Sequence, residues 1–251
     1  MKVVIAGEMP LLEEVGQLCI RAGHDTTLYL VEDFTAAVQN GGDMPEAAEA
    51  DVVIELHNES AAAKKALLSA LGGTVRRDAL LLTTALATSA TLAASWVPDP
   101  GRVVGFGLLP PIPADGVVEL AAALQTDAEA AARAADFWRG LGQEPVEVVD
   151  GAGLVRARTV CCIINEAASA LMEGVATAAD IDRAMQLGTN YPHGPLAWAD
   201  LIGLDTVLGV MTGLFEEWGE DRYRPSPLLK RLVAADRLGR KSGEGFHQYE
   251  A

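Results

Sequence analysis

The chain has 251 residues, half of them apolar and 22% charged, so it is a folded globular protein with length for one large or two small domains. Its 19 Lys and Arg against 35 Asp and Glu leave a net charge of −16, a field that repels phosphates and anionic lipid headgroups and argues against nucleic-acid or membrane partners. Three cysteines, two of them adjacent (Cys161, Cys162), form neither a disulfide framework nor a metal-binding pattern. The opening MKVVIAGEMP meets acidic residues too early for a secretion signal, and no run approaches the about 20 apolar residues of a membrane span. A cytoplasmic protein is expected.

Val3 to Ala6 is a short apolar run ending at Gly7, the mark of a buried strand meeting a turn. Leu11, Leu12, Val15, Leu18 and Cys19 then recur at helical spacing, and Gly23 closes that helix before a second strand, Thr26 to Val31. Further strands are read at Asp51 to Leu56, Ala79 to Thr84, Val103 to Leu109 and Val117 to Ala122, with helices at Ala61 to Leu71 and Thr91 to Arg102. Strand and helix alternating at this pitch predict a parallel α/β sheet with crossover helices. After a last β-like run, Val146 to Val149, Gly151-Ala152-Gly153 breaks the chain, and the sequence from Val155 to about Leu238 is helical by period. A boundary is placed near residue 150, giving domains 1–150 and 151–251.

The strand–Gly7–helix–Gly23-His24–strand opening is the frame of a dinucleotide-binding unit. The second half carries Asn165-Glu166-Ala167, EGVATAADID (Glu173 to Asp182), YPHGPLAWADLIGLD (Tyr191 to Asp205), RYRPSPLLKRLV (Arg222 to Val233) and LGRKSGEGFHQY (Leu238 to Tyr249). This ordered series resembles the C-terminal domain of 3-hydroxyacyl-CoA dehydrogenases, and YPHGPLAWAD is most similar to members of phenylacetate-type or dicarboxylyl-CoA catabolism. The resemblance implies a Rossmann-like α/β domain for NAD, an all-α domain that dimerises, and an acyl-CoA cleft between them. It further implies oxidation of a 3-hydroxyl in which a His takes the proton, a Glu orients that His, and a Ser and an Asn hold the oxygen.

Carried onto this chain, those roles meet substitutions. The glycine fingerprint falls on Gly7, Met9 and Leu12, with Pro10 between them, and the ribose-binding acid falls on Leu30, with Glu32 and Asp33 nearby. The His position is Gly107, the Ser position Leu86 and the Asn position Ala157, while the orienting carboxylate survives as Glu119. Glu55, Glu59 and Lys64 keep the family pattern beside the nicotinamide. Gly7, Glu59 and Lys64 are therefore the candidate cofactor residues and Glu119 the candidate catalytic one. The short stretch from Glu32 to Asp51 lacks the helices that cover CoA in the family.

Plainer readings stand beside these. Gly7 suits any strand-to-helix turn, Glu119 a solvated strand end, and His57 a loop as readily as a displaced base. His193 and His247 read as structural, Cys161-Cys162 as core. The apolar row Trp198, Leu201, Leu204, Val207, Leu208 and Met211 reads as core or as the contact of a homodimer. The sequence therefore points to a divergent member with hydride transfer lost and a scaffold, binding or partner role kept, an acyl-CoA-type molecule as the ligand, and weak or absent NAD binding. The alternative is an active NAD-dependent 3-hydroxyacyl-CoA dehydrogenase.

Overall fold

The computed structural model describes residues 1–31, 33, 34, 36 and 45–249; Glu32 lies outside them. The first half forms a seven-stranded sheet: β1 (Lys2–Gly7), β2 (Asp25–Leu30), β3 (Val52–Leu56), β4 (Leu80–Thr84), β5 (Val103–Gly107), β6 (Val117–Ala122) and β7 (Glu144–Glu147). Their order is β2-β1-β3-β4-β5-β6-β7. β1 to β5 run parallel as the sequence predicts, but β6 pairs antiparallel to β5, and β7 follows β6. The loop from β5 to β6 contains no crossover helix, so the chain has only a reversal available there.

The helices of this half are α1 (Leu11–Arg21), the short α2 (Pro45–Ala48), α3 (Ala61–Thr74), α4 (Ala90–Ala94) and α5 (Ala128–Gly140). Strand side chains alternate faces, and the two faces have separate cores. Val3, Ile5, Val52 and Ile54 pack with Leu12, Val15 and Trp138 of α1 and α5. Val4, Ala6 and Val53 pack with Leu67 and Leu71 of α3. The helix expected from Thr91 to Arg102 stops at Ala94, its start capped by Ser89, and turns carry the chain through Pro98 and Pro100 to β5. Proline removes a donor and turns the preceding residue away from helix.

The second half is α6 (Arg156–Met172), α7 (Ala178–Thr189), α8 (Pro195–Ile202), α9 (Leu204–Trp218) and α10 (Pro227–Ala234). No single helix among the described residues is long and apolar enough to cross a membrane. α8 and α9 meet at 99° across Gly203, whose φ of +100° is a conformation that side-chain-bearing residues rarely adopt. Buried carboxylates tie this half together. Asp182 accepts the Leu196 and Ala197 N–H groups at 2.8 and 2.9 Å, and Asp200 accepts Phe246 N–H, His247 N–H and Tyr249 O–H, each at 2.9 Å.

The apolar row read as core or as dimer contact is largely core. Leu204, Val207 and Met211 are fully buried against Ala157, Cys161 and Ile164, with Trp198 and Leu208 packed at the margin. α9 also lies directly on the sheet's loops. A Cβ at Gly209 would stand 2.1 Å from the Asn58 carbonyl oxygen, and one at Gly213 1.9 Å from that of Ala87. Only glycine permits this approach. Gly213→Ala is therefore expected to destabilise the fold by about 1–3 kcal/mol through overpacking, read as a lower urea midpoint with unchanged helical circular dichroism. An unchanged midpoint would contradict the packing described.

Candidate functional site

The carboxyl ends of parallel strands are where α/β proteins bind ligands, and every candidate residue lies at or near that edge. Gly107 on β5 is paired with Glu119 on β6. A Cβ on Gly107 would lie 3.1 Å from Glu119 Oε2 and 2.9 Å from Leu154 Cδ1. The carboxylate thus stands beside the position that would carry an imidazole, and a leucine methyl fills the neighbouring space. Leu86 and Ala157 are buried in the same hydrocarbon core as Leu109 and Ile164. At these three positions the side chains offer neither a proton acceptor nor an oxyanion donor.

Glu119 has a different occupation. Its two oxygens accept the Arg156 N–H at 3.0 and 3.3 Å. Arg156 opens α6, whose preceding Val155 has no side-chain acceptor, so a carboxylate from β6 caps the helix. Burial pushes the Glu119 carboxyl up, and the Arg156 backbone N–H and side-chain charge oppose it.

Lys64, expected at the cofactor, is instead wholly interior. Its ammonium reaches Glu55, the His57 carbonyl at 2.9 Å and Thr84 Oγ1 at 2.9 Å. Glu55 also accepts Thr83 O–H at 2.6 Å and His57 N–H at 2.7 Å. Burial lowers the Lys64 pKa, and Glu55 opposes that shift. All three ammonium donors have partners inside the chain, which leaves none for a ligand.

Glu59 is half-exposed and faces the helical half, where Lys241 lies 3.6 Å away and also contacts Asp205. Burial first, and the Asp205 carboxylate second, push Glu59 up to about 7.

In a dinucleotide-binding fold the β1–α1 turn is where the pyrophosphate sits. A Cβ on Gly7 would stand 2.4 Å from Leu56 Cβ, so this glycine serves the close approach of β1 to β3. Next to it, the Glu8 carboxylate contacts His57 Nδ1, and His57 Nε2 accepts Ser60 N–H at 3.1 Å. Glu8 sets a negative charge at the start of α1, where a pyrophosphate would need backbone donors. Pro10 has no N–H, and the Leu12 N–H is spent on the Glu8 carbonyl at 2.9 Å. Leu12 is buried, and Leu30 at the end of β2 is 42% exposed with no polar atom for a ribose. Between Glu8, Met9, Leu56, Asn58, Leu86 and Pro110 the structure leaves about 10 Å³, at the lower limit for one water. These residues do not fit a dinucleotide.

His57 is 5% exposed and held at both ring nitrogens, so it is neither an ordinary loop residue nor a free base. His247 Nε2 lies 2.7 Å from Asp182, and His193 meets the Trp198 ring edge-on. Cys161 is fully buried, Cys162 partly. Sequence reasoning missed the Glu8–His57 contact, because residues so far apart in the chain meet only through strand pairing.

Burial, then the nearby Lys64 charge, lower the His57 pKa to about 4. Unfolded, the same imidazole titrates near its ordinary 6.5, so the unfolded chain binds the proton first as pH falls. Stability is therefore expected to be fully present above about 6.5 and to decline as the pH drops towards about 4. His57→Asn should flatten that part of the curve in urea titrations at successive pH values; an unchanged slope would refute the assignment.

The chain matches the family model for the 3-hydroxyacyl-CoA dehydrogenase NAD binding domain over residues 12–151, a match that begins in the first turn of α1. It matches the model for the C-terminal domain over residues 153–249. It is similar to a probable 3-hydroxybutyryl-CoA dehydrogenase of Deinococcus radiodurans, 39% identical across 82% of this chain and 74% of that protein. Another protein of the same description in Bacillus subtilis is 40% identical across 82% of this chain and 72% of its own length. The crystal structure of an (S)-3-hydroxybutyryl-CoA dehydrogenase from Ralstonia eutropha superposes with a TM-score of 0.79 at 31% identity, covering 99% of both chains. Its fold is thus a Rossmann-like α/β domain of the NAD-binding type followed by a helical C-terminal domain, and the chain belongs to the 3-hydroxyacyl-CoA dehydrogenase family.

Proposed function

We propose that this chain is a divergent family member that keeps the two-domain scaffold, with its boundary near residue 150, and lacks hydride transfer at the family position. The observation that carries this reading is Gly107, which has no imidazole beside Glu119 and is walled by Leu154. General acid–base catalysis contributes about 10²–10⁴-fold, and no side chain supplies it at Gly107, Leu86 or Ala157. The role left is binding or partnership within acyl-CoA metabolism in the cytoplasm. A second reading, an active NAD-dependent 3-hydroxyacyl-CoA dehydrogenase, is supported by the relatives, whose descriptions are those of 3-hydroxybutyryl-CoA dehydrogenases. It requires a proton acceptor outside the family position.

One experiment separates the two. Titration with NADH and an assay with 3-hydroxybutyryl-CoA and NAD are expected to show weak or no binding and no turnover. A rate in the ordinary enzyme range of roughly 1–10³ per second would overturn the first reading and support the second. Gly107→His alone should restore nothing, since residues acting as a unit fail together.

The scaffold is proposed to act as a homodimer, through a face other than the row on α8 and α9. α6 and α7 enclose an apolar groove of about 440 Å³ lined by Ile163, Ala167, Ala170, Ile181 and Met185. Val175 and Leu187, on the same two-helix unit, are each 70% exposed. Light scattering at micromolar concentration is expected to give twice the 26.3 kDa chain mass, and Ile163→Glu to return the monomer. A wild-type monomer would remove the proposal.

A further inference from the structure

Outside the closed turn at Gly7, a second cleft lies between the two halves. It has a volume of about 300 Å³ and is walled by Pro10, Pro111 and Leu201, with Glu14, Asp200, Arg240 and Lys241 at its edges. Clefts at domain interfaces, mostly apolar with a few convergent polar groups, are where small molecules bind.

The charges around it are not equivalent. Asp200 is satisfied by three donors from the C-terminal segment. Glu14 accepts the Ile112 N–H at 2.6 Å, and burial shifts its carboxyl towards the neutral form. Lys241 is held by Asp205 and Glu59. Arg240 is different: its guanidinium lies 5.0 Å from the centroid of the Tyr249 ring, and it has no carboxylate partner among the described residues. Among the described residues, a cation held only by an aromatic ring beside an apolar cleft in an acidic chain selects for a single negative charge on a hydrocarbon body. A polyphosphate would meet the net charge of −16 with only one counter-charge.

We propose that this cleft binds a small aliphatic monocarboxylate, its carboxylate on the Arg240 guanidinium and its chain against Pro10, Pro111 and Leu201. Arginine's planar fork matches a carboxylate bidentately. The proposal deepens the binding role proposed above but does not depend on whether the protein transfers hydride, because its site excludes Gly107, Leu86 and Ala157.

The test is an amide chemical-shift titration of the full chain with sodium hexanoate, run in parallel with hexan-1-ol and with ADP as competitor. Hexanoate is expected to shift Leu201 and Gly203 saturably, while hexanol does not saturate them. Arg240→Gln should weaken hexanoate about tenfold or more, the loss of a charge-assisted pair. Arg240→Lys should weaken it less, and the exposed Lys65→Gln should leave it unchanged. No saturable shift, or equal affinity in Arg240→Gln, would overturn the proposal. Displacement by ADP would also overturn it, by assigning the cleft to a nucleotide. NADH binding without hexanoate binding would defeat this site while leaving the catalytic question to its own assay.

Discussion

The ammonium of Lys64 is the group around which the centre of the molecule is arranged. It brings together the end of β3 through Glu55, the following loop through the His57 carbonyl, and the end of β4 through Thr84. A charge taken out of water is stable only when opposite charge and oriented dipoles surround it, and breaking such a pair typically costs about 3–5 kcal/mol. The residues that complete the cage are consequently fixed in place. The same requirement sets the backbone of residues 57–59, which positions His57 for Glu8 and Asn58 for the underside of α9. What began as a pattern of residues beside a cofactor is, in this chain, an interior polar cluster with every donor used.

A similar change of employment explains how a carboxylate persists at Glu119 beside a glycine. Without an imidazole to orient, the group retains value because α6 starts at Arg156 and needs an acceptor. One tie between β6 and the helical half is therefore a hydrogen bond that does not depend on chemistry at Gly107. Leu154 completes the exchange by placing hydrocarbon over that glycine, alongside Ala85 and Ala121.

Much of this was legible in the sequence. Buried strands such as Val52–Leu56 and Leu80–Thr84 are continuous apolar runs, and the alternation of strand and helix gives a doubly covered sheet. Strand direction is not written in periodicity, so the antiparallel β6 escaped notice. Glu59 and Lys64 match a pattern expected beside a cofactor, and nothing local reveals that Lys64 points at Glu55. The row from Trp198 to Met211 announced that a large apolar face needed cover without saying which body would supply it. The candidate site was legible as a set of substitutions, and the burial of Leu12 as part of a helical apolar face; that Leu86 and Ala157 share one core with the helical half follows only from the fold.

The seating of α9 has a consequence for how the molecule moves. Two-domain proteins that enclose ligands open by a hinge, which needs an interface that separates at low cost. Here helix backbone rests on the carbonyls of Asn58 and Ala87, in the loops that hold the Lys64 cage. Swinging the helical half away would strip contacts whose geometry only two glycines allow. Opening therefore costs those close contacts, which sets this interface against an easy hinge.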